Sequence, residues 1–234
     1  MKKIAETNSD ELKCEHCNHT FMKPGNLLKH VCEKKRRWMD RDKVANRIAF
    51  SAWLKFYKSI QPSKKNLAYA DFSNSPYYTG FLKYGNYCVD VGVVNSLGYV
   101  DYLIGGQVPL DNWTSDKVYS KYLISYLRSE NELDAVYRSI ENMIKIAEAE
   151  SIELRDVFRY VSSNRICHLI CSGKISPWIL YQCKTGQEFL SKLNNDQRGV
   201  IYEYIDPERW TIKFTRAKEE VKMVNEIISG INGL

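Results

Sequence analysis

At 234 residues, 44% of them hydrophobic, the chain can bury a core; this excludes a disordered protein and suits one sizeable domain, or a small module beside a larger one. The net charge of +6 is uneven, because residues 1–60 hold 14 Lys+Arg against 7 Asp+Glu while the other 174 residues hold 20 against 21. No run reaches the roughly 18 apolar residues of a membrane span, and no apolar stretch of an export signal follows the opening lysines.

Seven cysteines, an odd number, fit a reducing cytoplasm with thiols that are free or on metal. Cys14, Cys17 and Cys32 cluster, whereas Cys88, Cys167, Cys171 and Cys183 lie in apolar surroundings and read as small core residues.

The first element is "CEHCNHTFMKPGNLLKHVC", residues 14–32. Cys14-x2-Cys17-x12-His30, with Phe21 and Leu27 between, is the spacing of a Cys2His2 zinc finger up to its third ligand. So short a unit cannot fold on burial alone, and bound Zn2+ supplies roughly 10–16 kcal/mol in such modules. The common histidine step to the fourth ligand is three to five residues, but Cys32 follows His30 by two, a rotation of about 200° on a helix. The spacing therefore predicts a ββα-like module whose short helix, Pro24 to His30, stops and lets Cys32 swing back. His16 and His19 are the rival fourth ligands, and both lie inside the knuckle.

Counted back from His30, the base-reading positions of a finger helix are Lys23, Asn26 and Lys29, whose side chains can address guanine and adenine edges. One finger spans about three base pairs, too few to select a site, so contacts to DNA structure or backbone are expected. A structural clip or protein-contact finger is the alternative. Lys34, Lys35, Arg36 and Arg37 follow, suited to phosphates, and Trp38 either stacks on an unpaired base or anchors the next helix.

Val44, Ile48, Ala52 and Phe56 recur every four positions from Trp38 to Ile60, an amphipathic helix with Arg41, Lys43 and Arg47 on its early polar part. "QPSKKNLAYADFSNSP", residues 61–76, reads as a linker. This gives three parts: a zinc module (1–37), a basic helix with linker (38–74) and a helical domain (75–234). The third part is marked by helix starts at Ser75-Pro76, Ser115, Asn131, Ser176-Pro177 and Asp206-Pro207. Capping boxes are expected at Thr185/Glu188 and Asn194/Gln197, and helix ends at Gly173 and Gly230. "GYVDYLI", residues 98–104, is the one strand-like alternation. The fold class expected is all-α, a finger followed by a multi-helix bundle.

Catalytic groupings are scarce. "CSGKIS" (171–176) lacks the first glycine of a phosphate loop, "EEVK" (219–222) and "GVIYEYI" (199–205) read as helix rather than nuclease strand, and Cys167-His168-x2-Cys171 reads as a packed helix rather than a second metal site. A binder rather than an enzyme is expected.

"YLIGGQVPLDNWTSDKVYSKYLISYL" (102–127) and "SSNRICHLICSGKISPWILY" (162–181) resemble the replicative helicase loaders of T4-type phages. In both, an apolar helix runs through a polar turn to a further apolar or Tyr-rich helix, and the resemblance spans about residues 75–225. It implies an all-α protein of the host cytoplasm that binds forked or single-stranded DNA, contacts a single-strand-binding protein and places the replicative helicase. Those loaders open with a helical domain like a high-mobility-group box, where this chain has a finger, so no DNA contact is carried over. The rival expectations are a transcription regulator acting with RNA polymerase and a virion or assembly protein.

Overall fold

A computed structural model describes residues 12–61 and 66–231. Among these, fifteen α-helices and one two-stranded ribbon make an all-α protein with a ββα head. In the head, β1 (Leu12–Lys13) pairs antiparallel with β2 (Thr20–Phe21), Leu12 opposite Phe21, and α1 (Pro24–Lys29) follows with Pro24 in its first turn.

Contacts divide the chain at Asp90/Val91 into two units. The first holds the head, α2 (Glu33–Met39), α3 (Val44–Ile60), α4 (Tyr69–Ser73) and nearly all of α5 (Tyr78–Val91). The single helix expected from Trp38 to Ile60 is interrupted: a 3-10 turn at Asp40–Asp42 and an extended Lys43 (ψ 142) separate α2 from α3. An Asp40–Lys43 ion pair at 2.8 Å closes that turn. The break also rotates the buried face of α3 to Asn46, Ala49, Ala52 and Trp53 and leaves Val44 exposed.

The segment read as a linker contains α4, whose Phe72 is fully buried; residues 62–65 of that segment lie outside the described residues. Phe72 packs on Trp53 (5.5 Å between ring centroids) and Tyr78 (4.9 Å), which is why residues 66–90 belong with α3 rather than with the later helices. Asn46 Nδ2 donates to the hydroxyls of Tyr78 (3.0 Å) and Tyr69 (3.2 Å), and Tyr69 donates to the Arg37 carbonyl at 2.9 Å. Gly85 allows the closest approach: a Cβ there would stand 2.1 Å from the Ala45 carbonyl oxygen.

The second unit contains α6 (Ser96–Gly105), α7 (Asp116–Ser129), α8 (Glu132–Glu150), α9 (Val157–Tyr160), α10 (Ser163–Cys171), α11 (Pro177–Gln182), α12 (Lys184–Lys192), α13 (Asn195–Ile205), α14 (Pro207–Arg216) and α15 (Lys218–Gly230). "GYVDYLI" is helical, not a strand: Tyr99, Val100 and Leu103 supply one buried face at helical spacing. Side-chain oxygens of Asn131, Ser176, Asn194 and Asp206 cap α8, α11, α13 and α14. Cys183 rather than Thr185 caps α12, its sulfur accepting the Gly186 N–H at 3.2 Å, while Thr185 is buried beside it.

The core of this unit centres on Met143, Ile166, Ile170, Ile179, Trp178 and Trp210, the two indoles meeting edge to face at 6.0 Å. One charge is buried with it. Glu130, its side chain 0% exposed, takes a bidentate pair from Arg138 (2.6 and 2.9 Å) and a hydrogen bond from Ser176 Oγ (3.3 Å). Burial holds its carboxyl above the ordinary glutamate range even with these donors opposing.

Candidate metal centre

The head folds its four candidate ligands onto one point. Cys14 directly follows β1 and Cys17 sits in the turn to β2, where the Asn18 N–H reaches the Cys14 carbonyl (2.8 Å) and Asn18 takes a left-handed φ of 61°. α1 ends at Lys29, and His30 (ψ 120) and Cys32 (ψ 166) are extended. That extension returns Cys32 to the cluster despite its two-residue step from His30. The ligand atoms of Cys14, Cys17, His30 and Cys32 all lie within 4.8 Å of one another and can hold a metal ion; the rivals His16 and His19 are outside the group. The Cys14 and Cys32 sulfurs are 4.0 Å apart, and Cys17 Sγ is 3.3 Å from His30 Nε2.

The surroundings favour anionic sulfur at Cys14 but not at Cys17, whose thiol stands above its usual range because the hydrogen bond from the His19 N–H is outweighed by burial and by the neighbouring Cys14 and Cys32. Backbone N–H groups of Cys17 and His16 point at Cys14, and together they hold its thiol below the usual range against the opposing effect of burial. Cys32 Sγ doubles as the N-cap of α2, accepting the Lys35 N–H at 3.3 Å, and Lys35 Nζ donates to the His30 carbonyl at 3.2 Å. Phe21 packs on His30 (4.8 Å between centroids), so the small apolar contact inside the module also fixes a ligand ring. Among the described residues this is the one group of three or more His, Cys, Asp or Glu side chains able to hold a metal; Cys167 and Cys171 join no such group.

The basic residues fare differently from one another. Lys23, at the N-cap of α1, and Asn26 and Lys29 on α1 are exposed, as are Lys34 and Arg36 on α2 and Arg47 on α3. None of these five cations forms an ion pair among the described residues. Lys43 pairs with Asp40, and Arg41 lies by Asp42 and over the Trp38 ring, 5.1 Å from its centroid. Arg37 turns inward: it pairs with Glu33, donates to the Ser73 carbonyl at 2.9 Å and sits 4.3 Å from the Tyr78 ring centroid. Trp38 meets Tyr69 edge to face at 6.0 Å and remains 36% exposed.

A second cationic feature escaped sequence reading, because the residues after 60 are nearly neutral in sum. In the second unit Arg209, Lys213 and Arg216 share one face of α14 and join Arg128 of α7 around a cavity of about 480 Å³, with Glu220 as its carboxylate. The spacing 209, 213, 216 marks that face in the sequence, but Arg128 comes from 81 residues earlier. Lys213 donates to the Arg128 carbonyl at 2.8 Å and lies over Trp210; burial lowers its pKa from the ordinary lysine value.

No helix among the described residues is long and apolar enough to cross a membrane. No family model, no curated protein and no solved structure matches this chain.

Proposed function

We propose that the head is a zinc-stapled grip for nucleic acid, that it holds phosphates rather than reading sequence, and that the helical second unit docks a partner protein. The convergence of three cysteines and one histidine within 4.8 Å, directly before α2 with its exposed Lys34 and Arg36, carries the reading. Zinc–sulfur bonds of about 2.3 Å and zinc–nitrogen bonds of about 2.0 Å give tetrahedral edges of roughly 3.5–3.8 Å. The 4.0 Å and 3.3 Å separations in the cluster bracket those edges. Three thiolates and one imidazole suit zinc better than hard cations that prefer oxygen. With three thiolates the centre would carry one net negative charge, offset by the α2 N–H groups and Lys35.

Lys34, Arg36 and Arg47, exposed and without ion pairs among the described residues, are the phosphate contacts of this proposal, together with Lys23 and Lys29. The likeness of residues 102–127 and 162–181 to phage helicase loaders supports a role in DNA replication, recruiting a helicase to forked or single-stranded DNA. Binding without catalysis fits the sequence, which groups no catalytic residues.

Titrating labelled single-stranded, forked and duplex DNA across a salt series tests this. Binding should weaken as salt rises, and Lys34→Ala, Arg36→Ala and Arg47→Ala should each flatten the slope of log K against log salt by about 0.7–0.9. No binding at low salt, or slopes unmoved by all three changes, defeats the proposal. A marked preference for one duplex sequence, lost with Asn26→Ala, would favour a transcription regulator instead.

A further inference from the structure

A cavity of about 340 Å³ opens where the metal knuckle, α2 and α4 meet. Glu15 and His16 of the knuckle, Lys34 and Trp38 of α2, and Ala70, Ser73 and Asn74 at α4 line it. Trp38 is 36% exposed, whereas Trp53, Trp113, Trp178 and Trp210 are each 2% exposed or less, so one of the five indoles reaches solvent. Its position is fixed by the Tyr69 edge and by Arg41. The His16 ring borders it, 6.2 Å between centroids and tilted by 38°.

We infer that this cavity receives one unpaired nucleobase, stacked on Trp38 with the His16 ring at its border and Lys34 on the adjoining phosphate. The inference rests on the proposed nucleic-acid grip and names its ligand class: a single strand. An aromatic face beside a cation is the usual arrangement for holding unpaired bases without reading them. A duplex keeps its bases stacked inside and cannot offer one to a recess without the cost of flipping it out. An anchoring indole that served only to pack α2 would be covered on all sides, as the other four are, and would not line a polar cavity.

The site is also coupled to the metal centre. Glu15 and His16 lie between the ligands Cys14 and Cys17, so whatever closes the ligand cluster also sets one wall of the base pocket. Removing the metal would dissolve that wall while leaving Trp38 and Lys34 on α2.

The test uses the full chain with bound metal, titrated with oligothymidylate, oligouridylate and a duplex of equal length. Anisotropy of the labelled strands and indole emission under acrylamide are read together. Because the other indoles are buried, acrylamide-quenched emission reports Trp38. A single strand should shield Trp38 and a duplex should not, and either oligothymidylate or oligouridylate doing so upholds the site. Trp38→Leu keeps apolar packing against Tyr69; it should weaken single-strand binding by roughly five- to 150-fold and leave duplex binding unchanged. His16→Ala should weaken single-strand binding less. Where Trp38→Leu fails to fold, judged by circular dichroism, shielding in the unaltered protein and its loss in Lys34→Ala decide. Equal affinity for single strand and duplex with Trp38 emission unmoved overturns the pocket and leaves the phosphate grip standing. Failure of every nucleic acid to bind overturns both.

Discussion

Arg36 and Arg37 are neighbours in one basic run, yet their surroundings differ, and Arg37→Met separates packing from phosphate contact. Arg37 binds the Ser73 carbonyl at 2.9 Å, pairs with Glu33 and lies 4.3 Å from the Tyr78 ring centroid, linking α2 to α4 and α5. A hydrogen bond from a charged donor contributes about 1.5–3 kcal/mol, and a partly desolvated cation–π contact about 0.5–2 kcal/mol. The Glu33 pair is largely exposed and adds little. Arg37 Nε is buried without a partner, which offsets part of the sum. The net expectation is a loss of about 2–3 kcal/mol from the first unit, measured by urea unfolding followed at the Trp53 and Trp38 emission. In the salt series Arg37→Met should leave the slope of DNA binding unchanged, whereas Arg36→Ala should flatten it by about 0.7–0.9 and cost under 0.5 kcal/mol of stability. If Arg37→Met flattens the slope as Arg36→Ala does and loses under 1 kcal/mol, the inward assignment of Arg37 is refuted.

Arg138→Met would strip the buried Glu130 of its partner and should cost about 3–5 kcal/mol at pH 8. Burial already raises the Glu130 pKa, so above the ordinary glutamate range the folded state holds a proton that the unfolded chain has lost, and stability falls as pH rises through that window. Without Arg138 the window widens, so denaturation at pH 5 should show a smaller loss than at pH 8; an equal loss at both pH values contradicts this account of Glu130. Gly85→Ala places a methyl 2.1 Å from the Ala45 carbonyl oxygen and should cost about 1–3 kcal/mol by forcing α3 and α5 apart, read as a lowered unfolding midpoint of the first unit. An unchanged midpoint would show that the two helices do not pack that closely.

What the sequence revealed is what depends on near neighbours. Asn131 capping α8, the reciprocal Asn194/Gln197 box and the Pro177 and Pro207 starts are local hydrogen-bond chemistry and stand where the spacing put them. The ligand cluster was legible for the same reason, including the turn that returns Cys32. The misses were of two kinds. A four-residue apolar recurrence hid the break at Lys43, because the stripe Val44, Ile48, Ala52, Phe56 is nearly periodic whether or not the chain turns before it. Cys183 capping α12 carries no ordinary sequence signal, because a thiol is not among the usual N-cap side chains. The fates of Arg37 and Phe72 depend on partners 19 to 36 residues away, and the basic cavity needs Arg128 beside α14, so no local pattern announces them.

The central claim is tested most directly by elemental analysis of the purified full-length chain together with titration of its reactive thiols. One zinc per chain is expected. Cys14, Cys17 and Cys32 should be slow to alkylate until a chelator is added, and Cys32→Ser should lower metal affinity and release Cys14 and Cys17 to reagent. Material without stoichiometric metal, whose three clustered thiols alkylate at the same rate with and without chelator, would contradict the account.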